Sequence, residues 1–225
     1  MKAATLARAR IDLKEAIREV HITAGFDARC SQPRTASAVV IGVTSPHMGD
    51  GKTTVALALG SSLATDFAAE VLLVDGDVHT QSVAREYGLE GEAGLAELIA
   101  GTTTLEAVRH RLPPARMSVV TAGSASEDPA RLARSESLVE VMAGFKRGTQ
   151  YVVMDLPATL HSMSAPVLAK RCDGVVVVVQ AGKTSRADLE RTLQLLGDAK
   201  VLGVVINRNT SRIPRWVERA LNLRS

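Results

Sequence analysis

Aromatic side chains are scarce in this chain. One Trp, two Tyr and three Phe make up 3% of 225 residues, too few to build the stacking platforms on which single-stranded nucleic acids lie. Cysteine is nearly missing as well. Cys30 and Cys172 stand far apart and match no metal-ligand spacing, which excludes a disulfide framework or thiolate cluster and suits a reducing compartment. Long apolar runs are also missing: the run at residues 175–179 is far below the ~20 residues that cross a bilayer. Residues 1–10 carry charges without the apolar centre of a signal peptide. We therefore expect a cytoplasmic protein, at most peripheral at the inner face of the cell membrane. Nor does one sign of charge dominate. Lys and Arg number 27 against 24 Asp and Glu, a net +3, interleaved along most of the chain, so nucleic acid is not an expected partner. No internal repeat or low-complexity tract occurs.

What is present is a large apolar fraction, 46%, rich in β-branched residues and sufficient for the core of one α/β domain. Apolar runs at 39–44, 71–77, 117–123, 151–157, 174–180 and 201–207 read as strands. Helical segments are expected after residue 52, near 81–87, at 95–99, over 128–145 and at 185–196. Because the strands are continuous apolar runs alternating with helices, they predict a doubly wound, mostly parallel sheet covered on both faces. Ahead of this core, Leu6, Leu13, Ile17 and Val20 recur at helical spacing, and residues 24–37 carry turn formers. The expected organisation is a helix and linker at 1–37, a nucleotide-binding domain at 38–208, and a basic amphipathic tail at 209–225.

The most informative stretch runs from Val39 through Gly49, Asp50, Gly51, Lys52, Thr53 and Thr54 into an Ala- and Leu-rich helix. A buried strand, a glycine turn and a helix in that order form a phosphate cradle: the glycines let successive N–H groups turn inward on an anion. Lys52 adds a point charge for the β and γ phosphates, and Thr53 a hydroxyl for magnesium. The first glycine of the usual pattern falls on Pro46, so the motif is imperfect, and its strand–turn–helix context carries the reading.

In a parallel sheet the ligand lies beyond the carboxyl ends of the strands. That rule gathers Asp75, Asp77, Asp155 and Asn207 beside the loop. Magnesium takes oxygen ligands, commonly one or two carboxylates plus phosphate. Asp155 is placed to reach such an ion directly or through water. Asp75 and Asp77, two apart on an extended chain, would share a face. One would meet a metal-bound water while the other accepts a proton from an attacking hydroxyl.

The segments Thr44–Thr54, 71–77, 119–123 with Pro129 and Leu132, the strand into Asp155, and 202–208 resemble the bacterial tyrosine kinase family. These are the CpsD/CapB-type P-loop proteins of capsule and exopolysaccharide biosynthesis, and the likeness spans about residues 10–208. The resemblance implies ATP and Mg2+ as cofactors, with Gly49, Asp50, Gly51, Lys52, Thr53 and Thr54 around the phosphates and Thr53, Asp75 and Asp155 at the metal. It implies Lys52, Asp75, Asp77 and Asp155 as the catalytic set. Asn207 would hydrogen-bond the adenine, with Arg208 beside it. It also implies a transmembrane polysaccharide co-polymerase or adaptor as partner, and a homo-oligomer formed through an N-terminal Glu-x-x-Arg-x-x-Arg motif. Here that motif reads Glu15, Arg18 and His21, with His at the last position.

Other departures are Met48-Gly49 for Pro-Gly in the loop, His79 for Arg after the paired acids, and Leu156-Pro157-Ala158 after Asp155, where the family carries Thr-Pro-Pro. Leu156 removes a hydroxyl from the expected metal neighbourhood. The family's C-terminal tyrosine cluster is missing. Tyr87 and Tyr151 both fall in expected secondary structure, so a substrate tyrosine is expected on a partner.

The tail offers Ile213, Trp216, Val217, Ala220 and Leu221 on one helical side and Arg212, Arg215 and Arg219 on another. It reads as a closing helix or as a membrane-surface helix over residues 212–224, the latter resembling MinD. Two rival functions follow. One is a MinD/ParA-like ATPase switch, against which His47 stands where that group carries its signature lysine. The other is a catalytically degenerate nucleotide-binding scaffold.

Overall fold

The computed structural model describes residues 38–124 and 135–208. The expected N-terminal helix with Glu15, Arg18 and His21, the start of the helix expected at 128, and the tail at 209–225 lie outside the described residues. In chain order the elements are β1 (Val39–Thr44), α1 (Lys52–Asp66), β2 (Val71–Asp75), α2 (Ser82–Tyr87), α3 (Leu95–Ile99), α4 (Leu105–Val108) and β3 (His110–Leu112). There follow β4 (Met117–Val120), α5 (Glu136–Phe145), β5 (Tyr151–Asp155), α6 (Ser164–Ala169), β6 (Gly174–Gln180), α7 (Arg186–Leu196) and β7 (Val201–Asn207).

The seven strands form one sheet in the order β3-β4-β2-β5-β1-β6-β7. Every neighbouring pair is parallel except β3 with β4. The strand period of two splits each apolar run between the faces. Val40, Leu72, Val74, Val152, Met154, Val175 and Val177 pack with Leu98, Leu138, Phe145, Leu168 and Leu196 of the helices on one side. Ile41, Val43, Leu73, Val119, Val153, Val176 and Val178 pack with Val55, Ala56, Leu59 and Leu63 of α1 on the other. Because both faces are covered, β1, β2, β4 and β5 are buried throughout, as their unbroken apolar sequences require.

The expected strands are present, with earlier ends. β2 stops at Asp75, β4 at Val120 and β5 at Asp155. Three elements have no counterpart in the sequence reading: β3, the four-residue helix α4 and α6. Strand β3, His-Arg-Leu, is a three-residue edge with a half-polar pattern, too short and polar to register as a strand. Helix α6 contains Pro166, which its first turn tolerates because no intrahelical N–H is lost there.

Candidate functional site

The phosphate loop joins β1 to α1. Gly49 and Gly51 take φ of 85° and 101°, the left-handed region that side chains disfavour. At Gly51 space is closed as well: an added Cβ would lie 1.9 Å from Asn207 Nδ2. The first-glycine position needs no such freedom and is filled by buried Pro46. The loop is braced internally, since the Ser45 hydroxyl donates to the His47 carbonyl at 2.7 Å and the His47 N–H donates to Asp50 Oδ2 at 3.0 Å. Asn207 at the end of β7 donates from Nδ2 to the Asp50 carbonyl at 2.9 Å. From the β5 side, the Thr159 and Leu160 N–H groups donate to the Ser45 and Pro46 carbonyls at 2.8 and 3.2 Å. No side chain caps the first turn of α1. Its unpaired N–H groups and positive dipole end therefore remain available to an anion.

Lys52, the first residue of α1, is 5% exposed. Its Nζ lies 2.9 Å from Asp77 Oδ2 and 3.6 Å from Asp155 Oδ1. Burial alone would lower its pKa, but the Asp155 and Asp77 charges outweigh that and raise it. Thr53 donates its hydroxyl to Asp155 Oδ2 at 2.6 Å. Strand register sets Asp75 directly beside Asp155 on the neighbouring strand. Both are fully buried. Burial, with repulsion from Asp155, pushes the Asp75 carboxyl up to about 7. Burial likewise pushes Asp155 up to about 6, against the attraction of Lys52. Asp77 goes the other way: burial would raise its pKa, but the ion pair with Lys52 and the hydrogen bonds from Lys52 and Thr80 hold it below the usual carboxylate range.

Asp75 and Asp77 are therefore not equivalent partners on one extended face. The strand ends at Asp75, Gly76 and Asp77 leave it, and a turn follows at residues 78–80. Asp75 accepts the N–H groups of Asp77 and Val83 at 2.9 and 3.1 Å, tying the turn together, while Asp77 alone pairs with Lys52.

This site fits a magnesium–nucleotide complex. Asp155 Oδ1 is buried without a hydrogen-bond partner, Thr53 and Asp155 supply hard oxygen ligands within contact of one another, and Lys52 opens α1 beside them. Together the parallel sheet, the strand–loop–helix cradle and the strand-end acids define a P-loop nucleotide-binding domain. The chain belongs to the CobQ/CobB/MinD/ParA nucleotide binding domain family, whose model matches residues 41–221.

Among its relatives, tyrosine-protein kinase CpsD of Streptococcus pneumoniae serotype 4 is 28% identical over 172 residues, 75% of each chain. Tyrosine-protein kinase YwqD of Bacillus subtilis is 28% identical over 73% of this chain and 70% of its own. Putative tyrosine-protein kinase EpsB of Ralstonia nicotianae is 29% identical, and this chain spans only 22% of its length. Among solved structures, the VpsO kinase domain superposes with a TM-score of 0.79 at 26% identity, over 93% of this chain and 100% of that one. MinD of Pyrococcus furiosus shares the fold, with a TM-score of 0.65 at 23% identity over 82% and 79% of the two chains.

Of the expected site residues, Gly49, Asp50, Gly51, Lys52, Thr53, Asp75, Asp77, Asp155 and Asn207 come together at this edge. Thr54 is exposed on α1. Arg208 is exposed and donates from Nη1 to Gln180 Oε1 at 3.3 Å. The Asp50 side chain braces the loop, and Asn207 tethers it. Leu156 is packed in the core: it is fully buried, and a Cβ at Gly42 would lie 2.7 Å from its Cδ1. Tyr151 is buried within β5, and Tyr87 ends α2. Sequence reasoning missed His161 and Asp188, which meet His47 at the rim through contacts of 3.0 and 3.3 Å.

Proposed function

We propose that this chain is a Mg–ATP-dependent, tyrosine-kinase-like P-loop protein of capsular or exopolysaccharide synthesis and export, which phosphorylates tyrosine on a partner. The observation that carries the reading is the convergence of Lys52, Thr53 and Asp155 beneath a glycine loop with free helix N–H groups. The N–H groups of residues 49–54 and the Lys52 ammonium hold the phosphates. Thr53 and Asp155 hold the magnesium, with Asp75 behind them. The ion supplies charge neutralisation of the phosphates when bound.

To reach phosphate, Lys52 leaves Asp77. Losing its counter-charge raises the proton affinity of Asp77, which then serves as the base for an acceptor hydroxyl. A phenol, of pKa about 10, needs such a base near neutral pH. Asp75 suits that role less, because both its oxygens accept backbone N–H groups.

The substrate tyrosine belongs to a transmembrane co-polymerase or adaptor, because Tyr87 and Tyr151 sit within secondary structure. Glu15, Arg18 and His21 serve a homo-oligomer contact. Residues 212–224 touch the inner face of the membrane. Asn207 and Arg208 flank the adenine, with one Asn207 amide hydrogen retained for the loop. The packed position of Leu156 argues against the degenerate scaffold, and His47 against the MinD/ParA-like switch. Incubation with labelled ATP, magnesium and a tyrosine-bearing adaptor peptide tests the proposal. Label on tyrosine is the expected result; free phosphate alone favours an ATPase switch, and bound but unreacted nucleotide favours the scaffold.

A further inference from the structure

The last strand of the sheet leaves an apolar strip bare. Register pairs Val201, Val204 and Ile206 of β7 with Val175, Val177 and Val179 of β6, and the shift between Val175 and Val176 gives β7 an extra residue at Leu202. A strict period of two would set Val201 on the opposite face from Val204 and Ile206; the bulge brings all three onto one face. On that face Val175 and Val177 are completely buried, yet Val201, Val204 and Ile206 are 37%, 42% and 63% exposed. The cause is the placement of α7, which packs beside α6 with Leu189 and Leu196 on the core, so that its cover ends at β6. Leu193 of α7, on this side of the sheet, is exposed as well.

Strand β7 is also an edge of the sheet. Natural edges are guarded by charges, Pro, a bulge that turns the strand away, or a cover. Residues 201–207 carry no charge and no Pro, and the bulge at Leu202 adds Val201 to the strip instead of hiding it. A cover is the remaining device.

The chain supplies one of the right size at the right place. Arg208 takes a left-handed φ of 56°, so the backbone turns out of the strand directly after Asn207. Residues 209–212, at about 3.3 Å each, reach about 13 Å, enough to bring the next segment back over the sheet face. There Ile213, Trp216, Val217, Ala220 and Leu221 share one side of a helix and would span about 12 Å; the strip from Val201 to Ile206 spans about 15 Å. Pro214 suits the first turn of such a helix. A linker this short gives the tail a roughly millimolar effective concentration at the strip, which a second copy of the chain does not match at ordinary protein concentrations.

We propose that the tail at residues 212–224 docks its apolar side on Val201, Val204 and Ile206, outside α7, and that this contact holds the tail off the membrane. The second half rests on the reading of the tail as a membrane-contacting segment: one apolar side is buried either against β7 or in the headgroup layer, so the two seats compete.

Trp216 is the only Trp in the chain, and its fluorescence reports docking without any membrane. Val204→Thr with Ile206→Thr keeps β-branched side chains in the strand and removes the apolar contact. In the native protein Trp216 should emit as a buried indole and resist iodide quenching; in the double variant the emission should shift to the red and quenching should rise. Val217→Ser with Leu221→Ser, which leaves the sheet untouched, should give the same shift. The strand variant should also bind phosphatidylserine–phosphatidylcholine vesicles about tenfold more tightly, the factor expected from uncovering one side chain such as Ile206. Solvent-exposed emission in the native protein, or emission unmoved by the strand variant, overturns the docking. Loss of a concentration-dependent dimer in that variant with unmoved emission assigns the strip to a second copy and overturns it too. An emission shift with equal vesicle binding overturns the competition. Absence of vesicle binding by both proteins would overturn the membrane reading instead, and Trp216 would still decide whether the tail docks.

Discussion

Replacing Asp155 with Asn measures what this buried strand-end acid costs the protein in the absence of ligand. Asp155 is fully buried beside Asp75, with Oδ1 lacking a hydrogen bond and 3.6 Å from the Lys52 ammonium, and its carboxyl is pushed from 3.8 up to about 6 by burial, against the pull of Lys52. An acid whose pKa is higher folded than unfolded binds its proton more tightly in the fold. Its penalty is therefore small below the unfolded value, grows as the pH rises between the two, and is complete above the folded value. About two units at ~1.4 kcal/mol each give ~3 kcal/mol at pH 8, and about half of that at pH 5. Asn keeps an acceptor for the Thr53 hydroxyl while removing the charge. For a chain of this size the gain corresponds to a rise in Tm of about 6–12 °C at pH 8. The assay is thermal unfolding of protein freed of nucleotide and metal with a chelator, at both pH values. A variant that melts no higher than the native protein at pH 8, or whose gain is the same at both, would refute the reasoning.

Three further outcomes are expected. Gly51→Ala meets both a φ of 101° and the Asn207 amide, so it should cost about 1–3 kcal/mol in thermal melts and abolish nucleotide binding; native-like binding would contradict the loop geometry. Asn207→Ala removes the tether to the Asp50 carbonyl, worth about 1 kcal/mol, and should weaken Mg–ADP about fivefold by calorimetry. An unchanged affinity would show that the tether is idle. Truncation before Arg212 should remove sedimentation with anionic liposomes; equal sedimentation of both forms would remove the membrane contact.

The sheet was legible because its strands are unbroken β-branched runs, and a strand buried on both faces can be little else. The site was legible to the extent that it depends on position along a strand: Asp75 and Asp155 end adjacent strands, and the glycine loop leaves the end of β1. The division of labour between Asp75 and Asp77 was not legible. It depends on the strand ending at Asp75, before the turn at residues 78–80, which ends the period of two and gives Asp75 to backbone N–H groups, leaving Asp77 for Lys52. Leu156 looked like a loss to the metal site because its neighbour Asp155 faces the site. The alternation of the chain sends it into the core, beside Gly42. Asn207 and His161 lie 157 residues from Asp50 and 114 from His47, and no local pattern announces such contacts. The one available signal is that His161 closely follows the Asp155 strand end. Strand β3 escaped because an edge strand of three residues carries almost no periodicity.

Calorimetric titration of Mg–ATP into the native protein and into Lys52→Met most directly tests the claim that this edge is the nucleotide site. One nucleotide per chain should bind the native protein, with affinity that falls when magnesium is withheld, and none should bind the variant. Lys52→Met that remains folded and binds Mg–ATP as tightly as the native chain would contradict the account.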